Sequence, residues 1–422
     1  MDTVSGSGGG LRTVEEQLAD VLTAVRPLAT RAVALSEAAG ATLRDPAVAR
    51  GGIPDFDNSA MDGFAVRFED VATASADSPV ELTVVADLPA GSPDDPGLRP
   101  GEAIRIMTGA MVPTEADTIV PFEDTAGGLD ESLTTARVVA APARRGVFVR
   151  RAHDDIRPGD VVLGAGARLG ARQLAALAAA DIARVTVSER PRVVVVSTGS
   201  ELVEPGVPRS RGQIPESNGL LLEALVREAG GVVVRRERVD DGGPGLRRVL
   251  DETTSGDARA DVVITSGGVS AGAYEVVKTE LGGALRFSRV SMQPGKPQAF
   301  GVLPAGTLVF GLPGNPVSAA VSFEVFVRPA LLALQGRATL ERPALRLPAA
   351  ESWRTPPGRR QYLPAVIDRG DPARWFVRPA TPGGSGSHLA GTLALAEAYA
   401  VVPAEITTVE PGDLVDVLLL GG

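Results

Sequence analysis

The sequence predicts a multidomain protein that combines α/β and β folds around a doubly wound parallel α/β central domain. From residue 191 onward, continuous apolar runs such as RVVVVS alternate with helical patterns, as in buried parallel strands joined by crossover helices. Residues 45–150 and 340–422 instead contain short apolar runs separated by Pro, Gly and Asp, which is typical of β domains. The length of 422 residues fits about three domains of roughly 150 residues each.

The elements follow from periodicity in chain order. After a flexible tail over 1–10, apolar residues from Val14 to Val25 share one face of an amphipathic helix. A helix at 171–180 and a strand at 183–188 then connect the β-rich region to the central domain. For the central domain we expect strands at 192–197, 232–239, 261–265 and 307–311, and helices near 217–229, 244–255 and 314–333.

Composition excludes several classes of function. A net charge of −10 and a pI near 5.0 argue against a nucleic-acid binder, which would show a basic face. The absence of cysteine excludes disulfides, thiolate metal sites and a cysteine nucleophile, and two histidines exclude a multi-histidine metal site. The N-terminus resembles no signal peptide and no apolar run approaches a membrane span. We therefore expect a cytoplasmic protein that is bound to neither nucleic acid nor membrane.

Three turns of small residues follow strands of the predicted sheet, where open parallel sheets bind ligands beyond the carboxyl ends of their strands. Glycines let backbone N–H groups approach a ligand, and helix N-termini add partial positive charge, so these turns favour phosphate. A single such turn is usually only a turn, but three at one sheet edge indicate a site. The candidate residues are Thr198 and Gly199; Ser266, Gly267, Gly268 and Ser270; and Pro313, Gly314, Asn315 and Pro316.

Carboxylates lie at the same edge. Glu201 follows the first turn, Asp240 and Asp241 end the second strand, and Glu275 follows the turn after the third strand. Acidic residues beside a phosphate cradle repel the ligand unless a cation lies between them, and Mg²⁺ suits one or two carboxylates with phosphate oxygens. The alternative is that Asp240 or Asp241 caps a helix. Lys296, one of only two lysines, lies in a Pro-Gly turn and is a candidate oxyanion contact.

Two further sequence patterns could mark a binding site. Gly164–Gly170 imitates a dinucleotide fingerprint, but its spacing is GxGxxxG and its strand is three residues long, so dinucleotide binding is disfavoured. Residues 56–65 place two carboxylates, an amide and a serine within seven positions, which is denser than a solvated turn needs. Thr108 adds a hydroxyl at the end of a strand. His153, beside acidic residues, is read as structural.

Seven motifs in order resemble the molybdopterin molybdenumtransferase family, which includes bacterial MoeA and the E domain of gephyrin. The resemblance covers nearly the whole chain after residue 10. DNSAMDG, IRIMTGA and the C-terminal β domain distinguish this family from the single-domain molybdopterin adenylyltransferase. The motifs are DNSAMDGFAVR, IRIMTGA, VVSTGSEL, SGGVSAG, QPGKP, GLPGNPVSA and SGSHLA.

The resemblance implies an elongated, four-part homodimer. Its parts are a discontinuous linking domain I over 11–44 and 151–190, an inserted β-rich domain II over 45–150, a MogA-like molybdopterin-binding domain III over 191–335, and a C-terminal β-barrel domain IV over 340–422. It also implies insertion of molybdate into adenylylated molybdopterin with Mg²⁺-dependent release of AMP. Handover from a molybdopterin adenylyltransferase and delivery to molybdoenzymes are the implied partnerships.

The resemblance also implies roles for particular residues, in a site shared between domain III of one subunit and domain II of the other. It implies catalytic roles for Asp62, Glu201 and Asp240. It implies metal-ligand roles for Glu201, Asp240 and Glu275. Substrate contacts extend to Asn58, Ser59, Thr108, Asp155 and Lys296, beside the turns named above.

The chain departs from the family pattern in three places. Glu275 stands where many members have Asp, Glu216-Ser217-Asn218 replaces a common Asp-x-Asn, and Arg289 and Gln293 stand where lysines occur. Two alternative functions remain open at this point. One is a molybdopterin adenylyltransferase, which would need MgATP, and the other is a gephyrin-like non-catalytic scaffold.

Overall fold

The computed structural model describes residues 11–129, 132–253, 259–269, 276–381, 386 and 388–421. Within them, three six-stranded sheets form the inserted, central and C-terminal domains, and short two-stranded ribbons connect them. The predicted combination of a central α/β domain with flanking β domains is confirmed. Ser270 and Glu275 lie outside the described residues.

The central sheet has helices on both faces, as predicted for a doubly wound fold. Its first four strands are parallel. A tight hairpin at Leu303–Thr307 makes the fifth strand antiparallel to the fourth, and the sixth strand is antiparallel to the fifth. In spatial order the strands are Val232–Val239, Arg192–Thr198, Val262–Ser266, Leu308–Leu312, Pro297–Val302 and Leu285–Arg289. The helices are Asn218–Glu228, Pro244–Thr253, Val276–Leu281, and a continuous helix of Pro316–Ser322, π-helical Phe323–Val327 and Arg328–Leu334.

This strand order positions the site. Helix Asn218–Glu228 packs on one face of the sheet and helix Pro244–Thr253 on the other, so the direction of winding reverses beside strand Arg192–Thr198. Its parallel neighbour Val262–Ser266 ends at the same edge. At such a switch point the carboxyl ends of the strands leave a crevice open for ligand.

The first helix, Val14–Ala24, begins with a capping box in which Thr13 and Glu16 satisfy each other's backbone N–H groups. Although the sequence grouped this helix with domain I, its buried Val14 and Val21 belong to the core of the central domain. The apolar face predicted from its periodicity is therefore covered by the long helix.

The linking domain pairs distant segments. Strand Thr30–Ala34 lies antiparallel to Arg184–Ser188, and Ala47–Val48 pairs with Val161–Leu163. Helix Ala171–Ala179 packs on them. The inserted domain contains the short helix Phe68–Val71 and a two-stranded ribbon of Asn58–Ser59 with Val149–Arg150. The strands of its sheet follow the order Thr118–Pro121, Gly63–Val66, Glu102–Ile106, Val80–Leu88, Thr135–Val138 and Thr125–Ala126.

The C-terminal domain is a nearly closed barrel. Its strands follow the order Arg360–Asp368, Ala398–Val402, Leu414–Leu419 and Ala344–Pro348, and Ala349 then bridges to Val377 of strand Phe376–Pro379, which returns to the first strand. A segment of the central domain, Met292–Gln293, adds to the same sheet by pairing in parallel with Arg360 and Gln361.

One helix, Pro316–Leu334, is long and apolar enough by composition to cross a membrane, and 89% of its apolar window lies buried inside the protein. It is the core helix between the central sheet and the first helix. Its apolarity therefore reflects burial on all sides.

Candidate functional site

A cleft of about 1000 Å³ opens at the carboxyl edge of the central sheet. It brings together all three predicted turns and the Lys296 loop, although these segments are spread over about 120 positions of sequence. The predicted residues that line it are Thr198, Gly199, Glu201, Ser266, Gly267, Gly268, Lys296, Pro313, Gly314, Asn315 and Pro316.

The floor of the cleft is made of backbone that approaches very closely. Gly267 has φ +94°, and a Cβ at this position would lie 2.7 Å from Thr198 Oγ1 and 2.8 Å from the Thr198 carbonyl oxygen. Thr198 Oγ1 donates to the carbonyl of Ser266 at 3.3 Å. Only glycine fits this left-handed conformation and this contact at once.

A buried amide holds two of the turns together. The Asn218 side chain donates from Nδ2 to Ser266 Oγ at 2.7 Å and to the Gly314 carbonyl at 2.6 Å. Its other atom, Oδ1, is buried without a hydrogen-bond partner in the part of the chain that the structure describes. An unsatisfied buried acceptor facing a cleft is a site for a ligand donor.

Beside it, Glu216 is 3% exposed and accepts from Ser197 Oγ at 2.8 Å and from the Gly219 N–H at 2.7 Å. Its carboxylate also lies 4.0 Å from Arg236. The departure Glu216-Ser217-Asn218 thus retains a carboxylate and an amide that serve the architecture of the cleft.

The acidic side of the cleft differs in detail from the sequence prediction. The Glu201 carboxylate folds back over Gly199, whose Cβ would lie 2.5 Å from it, and it remains exposed. Asp241 lines the cleft and accepts from both the N–H and the hydroxyl of Ser200 at 3.0 and 2.9 Å. Asp240 is exposed outside the lining and accepts the Gly242 N–H at 3.0 Å.

Among the described residues, no three acidic or histidine side chains form a cluster that could hold a metal ion. Glu201 and Asp240 form no ion pair within the described residues, and they supply hard carboxylate oxygens, which are the donors that Mg²⁺ prefers. This donor set fits an ion completed by ligand phosphate oxygens and water.

The basic side is the Lys296 loop. Lys296 is half-buried, and neighbouring Gln293 accepts a hydrogen bond from Arg359 Nη1 at 2.7 Å. The loop is fixed beneath by Gln298, which donates to the Gly295 carbonyl at 2.6 Å. At the third turn, Pro316 is the first residue of the long helix, so the helix N-terminus faces the cleft with its partial positive charge.

The residues predicted in the inserted domain form a second group outside this cleft. Asp62 is exposed and accepts the Thr108 N–H at 2.6 Å, and this hydrogen bond from the backbone lowers the pKa of Asp62. Asn58 and Ser59 are buried, and both donate to carbonyls of the same turn. Asp155 is exposed, and none of the five lines the cleft of its own chain.

Several cleft residues were not among the sequence candidates. Asp241 was noted beside Asp240 at the end of the second strand, but only Asp240 was assigned as a ligand, because adjacent acids at a strand end cannot be ranked without knowing the turn. Asn218 and Gln293 were noted only as departures, and Ser318 was not singled out. His388, in the SGSHLA motif of the C-terminal domain, lines the cleft and is exposed. The SGSHLA motif drew attention to this segment, but the sequence alone did not show that His388 contacts the cleft, because the motif lies far from the central sheet in the chain.

Comparison with known proteins gives a consistent picture along the chain. Three family models match: MoeA N-terminal region (domain I and II) at residues 12–180, a probable molybdopterin binding domain at 194–333, and MoeA C-terminal region (domain IV) at 346–420.

Named relatives match over most of their length. Molybdopterin molybdenumtransferase 2 of Mycobacterium tuberculosis is 44% identical, over 85% of this chain and 88% of its own. Molybdopterin molybdenumtransferase 1 of the same organism is 36% identical, over 97% and 99%. A solved molybdopterin biosynthesis moeA protein from Pyrococcus horikosii superposes with a TM-score of 0.76 at 30% identity, covering 98% of this chain and all of that one.

Proposed function

Because the chain belongs to the MoeA family, we propose that it is a molybdopterin molybdenumtransferase, which inserts molybdate into adenylylated molybdopterin and releases AMP. The observation that carries the proposal is the cleft at the switch point, where two glycine turns, a helix N-terminus and Lys296 face one volume. These groups complement phosphate and a small oxyanion, the two charged parts of the reacting pair.

The adenylyl-phosphate portion of the substrate fits the cradle of Gly267, Gly268 and the first turn of the long helix. The Gly267 N–H donates to the Leu312 carbonyl at 3.0 Å, and Asn218 joins the turns at Ser266 and Gly314. The backbone that carries the Gly268 N–H and the helix N-terminus is therefore fixed before ligand arrives. Preorganised donors of this kind stabilise developing negative charge without reorganisation. The unsatisfied Asn218 Oδ1 would accept a hydrogen bond from a ligand N–H or O–H group.

Molybdate, as substrate, would meet Lys296. The chain has no cysteine and His388 is the only histidine lining the cleft, so no covalent nucleophile needs to be invoked. The residues act by positioning: Lys296 supplies a cation to the oxyanion, and the cradle orients the pyrophosphate-type bond. Effective molarity and electrostatic preorganisation then lower the barrier.

Glu201 and Asp240 would hold Mg²⁺, with Glu275 a further candidate outside the described residues. When bound, the ion would neutralise phosphate charge and act as a Lewis acid on the bond that releases AMP. Glu201 itself, folded over Gly199 at the mouth of the first turn, orients toward the region that phosphate would occupy.

We further propose that the working unit is a homodimer in which the inserted domain of one chain completes the cleft of its partner. The support is that Asp62 and Thr108 form an exposed polar pair but do not line the cleft of their own chain. In a two-fold dimer each cleft would receive this pair once.

The activity is tested by mixing purified protein with adenylylated molybdopterin, molybdate and Mg²⁺, and by measuring AMP release and reconstitution of an apo-molybdoenzyme. Lys296→Gln should raise the molybdate KM, and Lys278→Gln, which removes the only other lysine, should not. Release of pyrophosphate from ATP and molybdopterin, without AMP release in the first assay, would instead identify an adenylyltransferase.

The shared site is tested by complementation. Asp62→Ala and Glu201→Gln chains, each inactive alone, are mixed after denaturation and refolded. A random equal mixture gives about half heterodimers, each with one intact site and one doubly damaged site, so about a quarter of wild-type activity should return. Mass spectrometry confirms subunit exchange. No recovery after confirmed exchange would show that each chain works alone.

A further inference from the structure

Three arginines come together where the linking domain meets the far end of the long central helix. We call Arg44, Arg168 and Arg337 the arginine junction. Arg44 and Arg168 belong to short paired segments of the linking domain, and Arg337 follows the helix that ends at Leu334. The Ala338 N–H donates to the Gly166 carbonyl at 3.2 Å, which seats the post-helical turn on these segments.

The register places a polar face against that turn. Thr42 is bridged to Arg168, and Leu43 is bridged to Val187, so Thr42 and Ser188 also lie opposite each other. Leu43 and Val187 point into the core of the linking domain. Because side chains alternate along extended segments, Thr42, Arg44, Arg168 and Ser188 share the opposite face.

Two buried hydroxyls on this face lack partners. Thr42 is 1% exposed and Ser188 is 4% exposed, and neither Oγ atom has a hydrogen-bond partner within the described residues. Arg44 Nη1 and Arg337 Nε are also buried and unpartnered there. Half of the unsatisfied buried side-chain atoms in the described chain therefore lie at one place. Buried polar groups normally have partners, so this concentration points to a ligand that accepts hydrogen bonds.

The positive charge at the junction is uncompensated. Within the described residues, none of the three arginines forms an ion pair or a side-chain hydrogen bond, whereas nearby Arg328 lies 3.9 Å from Glu324. Burial lowers the pKa of Arg337 to about 10, with further lowering from the charges of Arg168 and Arg328. A Cβ on Gly336 would lie 2.5 Å from Arg44 Nη1, so the turn packs directly on that guanidinium.

We propose that the arginine junction binds a tetrahedral oxyanion of the phosphate type, held by Arg44, Arg168 and Arg337 with the hydroxyls of Thr42 and Ser188. Every unsatisfied group there is a donor or carries a donor, so the ligand must be an acceptor. Three guanidinium groups in one place suit a multiply charged anion with several oxygens.

This site is separate from the cleft. The helix that begins at Pro316 in the cleft wall runs 19 residues to Leu334 at the junction, a length of about 28 Å. An anion at the junction would connect the linking domain to the end of this helix. Two sources share the required chemistry: a free inorganic oxyanion, such as phosphate, sulfate or molybdate, and the phosphate group of a mononucleotide such as AMP.

The test uses full-length protein carrying Lys296→Gln, which weakens oxyanion binding in the cleft. Phosphate, sulfate, molybdate and AMP are titrated calorimetrically into this background, alone and combined with Arg168→Gln. Arg172→Gln, an exposed arginine on the neighbouring helix of the same domain, is the matched control. Losing one charge-assisted contact should weaken the Kd for phosphate about tenfold or more, and the control should leave it unchanged.

A second variant keeps the test independent of charge. Thr42→Val preserves shape and removes an unsatisfied hydroxyl, so it should fold normally, melt no lower than its parent without anion, and bind phosphate more weakly. Only the affinity that Arg168→Gln removes and Arg172→Gln leaves unchanged is assigned to the junction, because AMP also has the cradle of the cleft. A larger loss for AMP than for phosphate would support the site with a mononucleotide as its ligand, and a loss for phosphate at least as large would support it with a free oxyanion. Equal affinity in the Arg168→Gln and Arg172→Gln proteins, or stabilisation reproduced by chloride at matched ionic strength, would overturn the proposal.

Discussion

Replacing Gly267 by alanine should damage both the stability of the central domain and its ligand cradle. Gly267 adopts φ +94°, and an added Cβ would lie under 3 Å from both the side chain and the carbonyl of Thr198. The carbonyl belongs to the end of a central strand and cannot rotate away without disturbing the ladder. The substitution therefore combines backbone strain with overpacking.

The magnitude follows from these two effects. A left-handed conformation costs a residue with a Cβ about 1–2 kcal/mol. Forcing a carbon into a packed region costs about 1–3 kcal/mol more. We expect Gly267→Ala to lower the free energy of unfolding by about 2–5 kcal/mol and to weaken AMP binding, because the turn must move away from the cleft to relieve the contact.

Urea unfolding followed by circular dichroism, at unchanged m-value, measures the loss, and calorimetry measures AMP affinity. Gly283→Ala is the matched control, since its Cβ meets nothing within 4 Å and its backbone is not left-handed. The control should change the unfolding free energy by no more than about 0.5 kcal/mol. Equal losses in the two variants, or unchanged AMP affinity in Gly267→Ala, would refute the reasoning about close approach.

Three further predictions concern other parts of the molecule. Arg342→Met should destabilise the protein by about 2–4 kcal/mol in urea unfolding, because Glu324, only 5% exposed, keeps only Arg328 at 3.9 Å, and adding Glu324→Leu should restore most of the loss. The Thr108 N–H lowers the pKa of Asp62, so the Asp62 carboxyl should titrate by NMR at a lower pH than an ordinary aspartate. The small stability that this carboxylate contributes is present at neutral pH and is lost as the pH falls through the lowered pKa. Asp62→Asn should remove this pH-dependent contribution. Asn218→Ala should weaken AMP binding by about tenfold in calorimetry, since it releases Ser266 and Gly314, and unchanged affinity would count against the clamp.

The central domain could be predicted from sequence because its strands are buried on both faces. Val193–Val196 are all fully buried, and such a run has few alternatives to a parallel strand. The directions of the edge strands Pro297–Val302 and Leu285–Arg289 could not be predicted in the same way, because Pro297–Val302 is joined to the parallel strand Leu308–Leu312 by a short hairpin and not by a helix. Strand direction depends on the connection, and periodicity does not report it.

In the candidate site, too, some residues could be predicted from the sequence and others could not. Gly267 and Gly314 could be selected because small residues after a strand have a local reason to be there. Asp241 and His388 could not, because their roles depend on which side of a turn faces the cleft and on a contact between domains. Ser270 and Glu275 were selected from the same motif and lie outside the described residues, so their assignment stays a prediction.

The Lys296 loop links the chemistry of the cleft to the C-terminal barrel. Met292 and Gln293, just before it, are paired with Arg360 and Gln361 of the barrel. Arg359 donates to Gln293, a cleft residue that takes the place of a lysine expected from the family, so a barrel arginine supplies positive charge beside the loop. The loop's conformation is therefore determined by two domains together. If the barrel did not pack against the central domain, Met292 and Gln293 would lose their strand partners. Lys296 would then lose the support that directs it into the cleft.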